Sequence, residues 1–287
     1  MQYAISDVHG CFDEFQRLLD FVSPTSEDIV YVMGDVIDRG PKSAEMLVWC
    51  IDEAPDNFRF LLGNHEDMAL CACGRMPGSV VLVSEEGIDP WCFNGGAQTT
   101  RGLIEITDYD WRREVMVPWL QALSPYTVVQ VDGRPIMLVH AGFNPQGFDD
   151  EAGHTFSDFN DDPLAHHAVI DVGHGFGRQS EQHMLWAREE WYADEEPSPT
   201  ETVFGHTPKP LLVRDAYRKR EYFGEYPQYY EGKDLASAWF QTVDDNLGTC
   251  WHYLNRHDID CGCAYGGRLC CLRLDDFEEF YVDGPAR

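Results

Sequence analysis

The chain has 287 residues, of which 44% are hydrophobic and 13% aromatic, enough apolar surface for a sizeable core and too much for wholesale disorder. Its 21 Lys and Arg stand against 50 Asp and Glu, a formal charge of -29. That balance argues against nucleic-acid backbones and anionic membranes as partners, since both require a positive footprint. Any phosphate site must therefore supply its own local cations.

No apolar run approaches the roughly 20 residues that span a bilayer. The first seven residues lack a basic stretch and show no signal peptide, so the expected location is the cytoplasm. In chain order, the first third alternates strand and helix. Tyr3-Ala4-Ile5 reads as a short strand ending at Asp7-Val8-His9-Gly10. Phe12, Phe15, Leu18, Leu19 and Val22 then recur at helical spacing until Ser23-Pro24. A second strand over 29–33 runs into Gly34-Asp35-Val36-Ile37-Asp38-Arg39-Gly40. Two carboxylates and an arginine bracketed by glycines can hold metal and phosphate together, although a turn would also use Gly and Asp. A helix is expected from near Pro41, with Met46, Leu47, Cys50 and Ile51 on one face. The third strand, 58–62, delivers Gly63-Asn64-His65-Glu66. Three successive βα units thus place polar residues at strand carboxyl ends, where open α/β sheets put their sites.

Further along, 74–87 reads as a loop with an apolar centre, and Trp91 to Gly96 as a turn feeding a helix over 97–106. A second helix is expected over 109–123. Residues 127–131 and 136–139 make a hairpin across Asp132-Gly133, ending at His140-Ala141-Gly142. Residues 154–182 are polar and rich in His, Asp and Gly, a surface insertion without recurring ligand spacing. The strand 202–204 leads into Gly205-His206-Thr207-Pro208. Residues 214–239 read as another insertion and 249–282 as a final meander.

The 10 cysteines are expected to be thiols in a cytosolic chain. Cys71/Cys73, Cys261/Cys263 and Cys270/Cys271 lack the Cys-x2-Cys spacing of common zinc sites, and packing as small hydrophobes is the expectation. By contrast, Asp7, His9, Asp35, Asn64, His140 and His206 each follow an apolar strand-like run. Two divalent ions require about this many O and N ligands, and Asp35 is placed to be shared.

These motifs resemble the phosphoprotein phosphatase family within the calcineurin-like metallophosphoesterases, nearest to the bacterial and phage lambda-type serine/threonine phosphatases. Trp91-x-x-Asn94-Gly95-Gly96, Trp186-Ala187-Arg188-Glu189 and Asp260-x-Gly262-x-x-Tyr265-x-Gly267 add to the match. The resemblance implies an α/β fold, a two-sheet β sandwich flanked by helices with a dinuclear metal site at strand ends. It implies one domain over 1–287, with insertions near 143–185 and 208–257. Asp7, His9 and Asp35 would hold one ion, and Asp35, Asn64, His140 and His206 the other. The ions would be manganese, with iron or zinc as alternatives. His65 would be the general acid oriented by Asp38, and Arg39 and Arg188 would grip the phosphate. The implied reaction is phosphomonoester hydrolysis by a metal-bridging hydroxide attacking phosphorus directly, on a phosphorylated protein or a small phosphoester. The alternatives are dinucleoside polyphosphate hydrolysis and a non-catalytic phosphate-binding relative. Diadenosine tetraphosphate hydrolases typically lack an acid at the Asp38 position and carry Asp at the Glu66 position, so on both counts this chain sides with the protein phosphatases. Cys261 stands where the family usually shows Thr. The oligomeric state is left open.

Overall fold

The computed structural model describes residues 1–75, 91–142, 181–188, 191, 197–198, 200–208 and 248–286. The apolar-centred loop, the His-rich insertion and the one over 214–239 lie, wholly or in their greater part, outside the described residues. Two five-stranded sheets carry the structure. In the first, β1 (Gln2–Ile5), β2 (Ile29–Val32) and β3 (Phe58–Phe60) run parallel, as the three predicted βα units require. In the second, β4 (Tyr126–Val131) and β5 (Arg134–Val139) form the predicted hairpin, and β6 (Glu201–Phe204) lies parallel to β5.

The expected terminal meander is instead divided between the sheets. β7 (Trp251–Tyr253) and β8 (Arg256–Asp258) complete the second sheet, while β9 (Arg268–Arg273) pairs with β1 in the first and β10 (Glu279–Asp283) pairs with β9. Residues 251–257 therefore belong to a sheet, although they fall within the stretch read as an insertion. Local strand pattern does not reveal which edge a strand joins.

Both faces of each sheet are covered, which explains strands that read as continuous apolar runs. Side chains alternate between layers along every strand. Tyr3, Ile5, Val30, Val32, Leu269 and Cys271 face a layer closed by helices, where Phe15 and Leu18 of α1 (Phe12–Val22) and Met46 and Leu47 of α2 (Ser43–Val48) pack. Ala4, Tyr31, Met33, Cys270 and Leu272 face inward, against Ile136, Leu138 and Val203 of the second sheet. That sheet's other face, with Met137, Val139 and Phe204, is covered by Met184, Ala187 and Trp191. The chain is thus an α/β sandwich of two mixed sheets flanked by helices. No helix among the described residues is long and apolar enough to cross a membrane.

α3 (Asn64–Arg75) starts directly at the third motif, and α4 (Ala97–Ile106) fills the predicted span. The expected helix over 109–123 begins as α5 (Tyr109–Trp111), passes a wider turn and ends as α6 (Val117–Gln121). α7 (Glu181–Trp186) leads to Arg188.

Candidate metal centre

Strand ends of both sheets meet at one point. Asp7 and His9 follow β1, Asp35, Asp38 and Arg39 follow β2, Asn64 and His65 open α3, His140 follows β5 and His206 follows β6. The connecting loops are laced by backbone hydrogen bonds: His9 N to Asp35 O (2.8 Å), Gly40 N to His9 O (2.8 Å) and Gly205 N to His140 O (2.8 Å). Asp7, His9, Asp35, Asp38, Arg39 and His206 all have φ between 48° and 74°. Non-glycine residues in that region are uncommon and strained; their gathering around one cavity shows a backbone shaped to aim side chains.

Two groups of ligand-type atoms form there, and they share a residue. Asp35 lies with His9 and His65 in one, and with His140 and His206 in the other. Its Oδ2 is 3.4 Å from His9 Nε2 and 3.8 Å from His65 Nε2, and its Oδ1 is 3.5 Å from His140 Nε2. Asn64 Oδ1 is 2.9 Å from His140 Nε2 and 2.8 Å from His206 Nδ1. O and N ligands at about 2.1 Å from an octahedral ion sit about 3.0 Å apart, so these spacings suit a cation. The tautomers suit it too. His9 Nδ1 donates to Ile37 O and His140 Nδ1 to Met33 O, both at 2.9 Å, which leaves each Nε2 lone pair directed inward. Asp7 Oδ1, His65 Nε2 and His206 Nε2 are buried without a hydrogen-bond partner, an expensive arrangement unless a ligand or ion satisfies them.

The electrostatics point the same way. Burial works against an ionised Asp35, yet His140, His65, His9 and Arg39 together hold its carboxyl well below the usual range. Burial pushes the Asp7 carboxyl up. It drives His9 and His206 well down, helped by Arg39 at His9 and by His140 and Arg188 at His206. Buried imidazoles kept neutral are the form that binds metal.

Arg39 donates to His9 Nε2 and lies 5.4 Å over the Tyr265 ring. Arg188 donates to Thr207 Oγ1 at 2.9 Å, next to His206. Despite its distance in sequence, it reaches the same site. Asp38 is fully buried and holds His65 Nδ1 at 2.6 Å.

Sequence reading left several supporting residues without a role. Glu66 accepts backbone N–H groups from Asp35 (2.7 Å), Gly63 (3.1 Å), Val36 (2.9 Å) and Ile37 (3.3 Å). It is the strut of the whole β2 loop. Burial and Asp35 push its carboxyl up to about 8, opposed by those donors. Trp91 Nε1 (2.8 Å) and Thr99 Oγ1 (2.5 Å) donate to Asp38. Trp91 and Glu66 stood inside quoted motifs; Thr99 carried no signal.

A model of the calcineurin-like phosphoesterase family matches residues 3–247. The chain belongs to that family. A symmetrical bis(5'-nucleosyl)-tetraphosphatase of Acidovorax sp. is 34% identical to this phosphoesterase over 316 aligned positions, covering 99% of this chain and 96% of that one. The corresponding enzyme of Chromobacterium violaceum is 27% identical, covering 97% and 93%. That of Paracidovorax citrulli is 34% identical over 147 residues, which span 50% of this chain but only 44% of its own length. A crystal structure of a protein provisionally described as a diadenosine tetraphosphatase agrees in fold, with TM-score 0.53 at 17% identity over 99% of this chain and 93% of the other.

The close approach at Gly205 gives a test of the packing. A Cβ there would lie 2.1 Å from Asp7 Oδ2 and 2.4 Å from Ser6 Oγ. Gly205→Ala is expected to displace Asp7 from its hydrogen bond with His206 N. Overpacking of this kind costs about 1–3 kcal/mol. Thermal unfolding and elemental analysis of the variant should show lower stability and reduced metal content; an unchanged Tm with full metal content would refute the displacement.

Proposed function

We propose that this phosphoesterase hydrolyses phosphate esters or anhydrides at the centre built around Asp35, with dinucleoside polyphosphates as the substrate class. Asp35's membership of both ligand groups carries the hydrolase reading. The relatives along nearly the full chain length support the dinucleoside substrate over the phosphoprotein expected from the motifs. A second reading, a phosphomonoesterase of protein-phosphatase type, is favoured by Asp38 and its contact with His65.

Asp7, His9 and Asp35 would hold one divalent ion, and Asp35, Asn64, His140 and His206 the other, with manganese, iron or zinc matching the mixed O and N donors. Bound there, the ions supply Lewis acidity and a water activated at neutral pH. The chain's own groups do the rest. The Arg39 and Arg188 guanidiniums bind the phosphoryl oxygens and offset the repulsion of an acidic surface. Asp38 fixes the His65 ring so that Nε2 faces the cavity, where it can give a proton to the departing oxygen. The single chain over 1–287 then serves as one catalytic unit.

The deciding experiment compares rates on diadenosine tetraphosphate, phosphopeptides and para-nitrophenyl phosphate with added manganese. Preference for the dinucleotide, abolished by chelator, is the expected result. Preference for phosphopeptides would establish the second reading, and no turnover of any substrate would leave a phosphate-binding relative.

Arg188 offers a separate check. Arg188→Ala is expected to keep the fold and the metals while kcat/KM falls by roughly a hundredfold or more, the scale of losing one preorganised charge-stabilising donor. Arg188→Lys should recover only part, because an ammonium lacks the planar fork. Wild-type kcat/KM and wild-type inhibition by free phosphate in the alanine variant would remove Arg188 from the substrate site.

A further inference from the structure

In the apolar layer between the sheets, three cysteines from separate segments converge. Cys250 precedes β7, Cys261 follows β8, and Cys270 lies on β9. They are 6%, 3% and 0% exposed, and their sulfurs lie within 4.8 Å of one another. The Cys250 and Cys270 sulfurs are 3.2 Å apart. We propose that Cys250, Cys261 and Cys270 form a separate all-sulfur site for one thiophilic d10 cation, Zn2+ or Cu+.

The spacing fits such an ion. Metal–sulfur bonds of about 2.3 Å in tetrahedral geometry hold sulfurs about 3.8 Å apart, within the range seen here. The donor set also selects: thiolates favour Zn2+ and Cu+, whereas the carboxylates, imidazoles and amide around Asp35 suit harder ions. The chain would thus carry two centres of different donor chemistry that share no residue. Sequence spacing hid this trio, because the fold, rather than a short Cys-x2-Cys loop, brings it together.

Packing alone accounts less well for the arrangement. Cysteine does pack as a small hydrophobe, and Cys271 does so on the opposite face of β9, in the helix-covered layer. The three in question instead converge within 4.8 Å of one another among Ile259, Leu272, Leu274 and Val203, with the Tyr281 hydroxyl hydrogen-bonding to Cys250. The thiolate is the ligating form. Each ligating thiol releases its proton to water, so three thiolates around a divalent ion leave one net negative charge. No electron transfer is involved. Cys250 also belongs to an overlapping trio with the exposed His252 and the half-buried Glu279.

The test uses the full chain, reduced and stripped of metal, titrated with Cd2+ as a spectroscopic probe and separately with Cu+. Thiolate-to-metal charge-transfer absorption reports sulfur ligation alone, since the residues assigned to the phosphoester centre carry none. The band is expected to saturate at one ion per chain. It should vanish in Cys250→Ser, Cys261→Ser and Cys270→Ser, and persist in Asp35→Asn. Cys271→Ser, equally buried but on the other face, should retain it. Cys261→Thr keeps a small side chain where serine proves too disruptive, and circular dichroism of each variant confirms that it is folded. Elemental analysis after loading with Zn2+ or with Cu+ tells which ion is held in excess over Cys261→Thr. Absence of the band with both probes overturns the proposal, as does a band that survives all three substitutions. Protein that takes no metal when reduced but loses two hydrogens on air oxidation would make this a disulfide pair instead, and would also overturn it.

Discussion

Asp35→Asn is expected to strip both ions from the phosphoester centre and to cost more activity than any other single ligand change. The carboxylate offers Oδ1 toward His140 and Oδ2 toward His9 and His65, and an amide has only one oxygen to replace both. Losing even a supporting contact to a metal ligand typically costs 10–100-fold in affinity or activity. Loss of a shared ligand should exceed that, so kcat/KM is expected to fall by more than about a hundredfold with fewer than two ions retained. His206→Asn, which touches one ligand group only, should lose less. Elemental analysis of both variants, folded by circular dichroism, makes the comparison. Two ions retained in Asp35→Asn beyond any held by the cysteines would show that the carboxylate does not bridge.

The parts of the molecule that were legible in the sequence are those in which local pattern and global position agree. Each ligand-type residue directly follows a strand, and a strand's end is readable from its apolar run. Parallel strands with both faces covered put all such ends on one side, so reading the strands amounted to reading the cleft. Arg188 and the terminal strands were different. Arg188 reaches the site through α7 packing on the second sheet, and its bond to Thr207 depends on tertiary placement alone. Likewise, nothing in the pattern of 249–282 says that β7 and β8 join one sheet and β9 and β10 the other. The same crossing brings Cys250, Cys261 and Cys270 together from positions that no linear motif connects.

The supporting residues show why the motifs extend beyond the ligands. Glu66 ties the backbone of Asp35, Val36 and Ile37 from a position three residues after Gly63. Asp38 in turn is held by Trp91 and Thr99. A site whose φ values sit in a strained region requires such over-determination to persist. Gly63 belongs to the same device: a Cβ there would lie 2.3 Å from Asp35 N and 2.6 Å from Glu66 Oε2.

Exchange of His65 for Asn is expected to separate the two substrate readings as well as to define the residue's role. His65 is fully buried, its Nδ1 is 2.6 Å from Asp38 Oδ2, and its Nε2 has no hydrogen-bond partner. A ring held so by a carboxylate with its other nitrogen facing the cavity is arranged to hand over a proton. General acid catalysis is worth about 10²–10⁴-fold when the leaving oxygen is basic. A serine alkoxide is such a leaving group, whereas nitrophenolate and a nucleoside diphosphate require little protonation. His65→Asn should therefore slow phosphopeptide turnover by about 10²–10⁴-fold and slow diadenosine tetraphosphate and para-nitrophenyl phosphate turnover far less. Asp38→Asn should reproduce the pattern at smaller size, since it leaves the imidazole in place but removes the charge that orients it. Both variants should keep their metals. His65 also lies within ligand distance of Asp35 and His9, so loss of an ion in His65→Asn would make it a ligand. Equal losses on all three substrates with metals retained would make it a positioning residue, and Asp38 part of the scaffold that holds it.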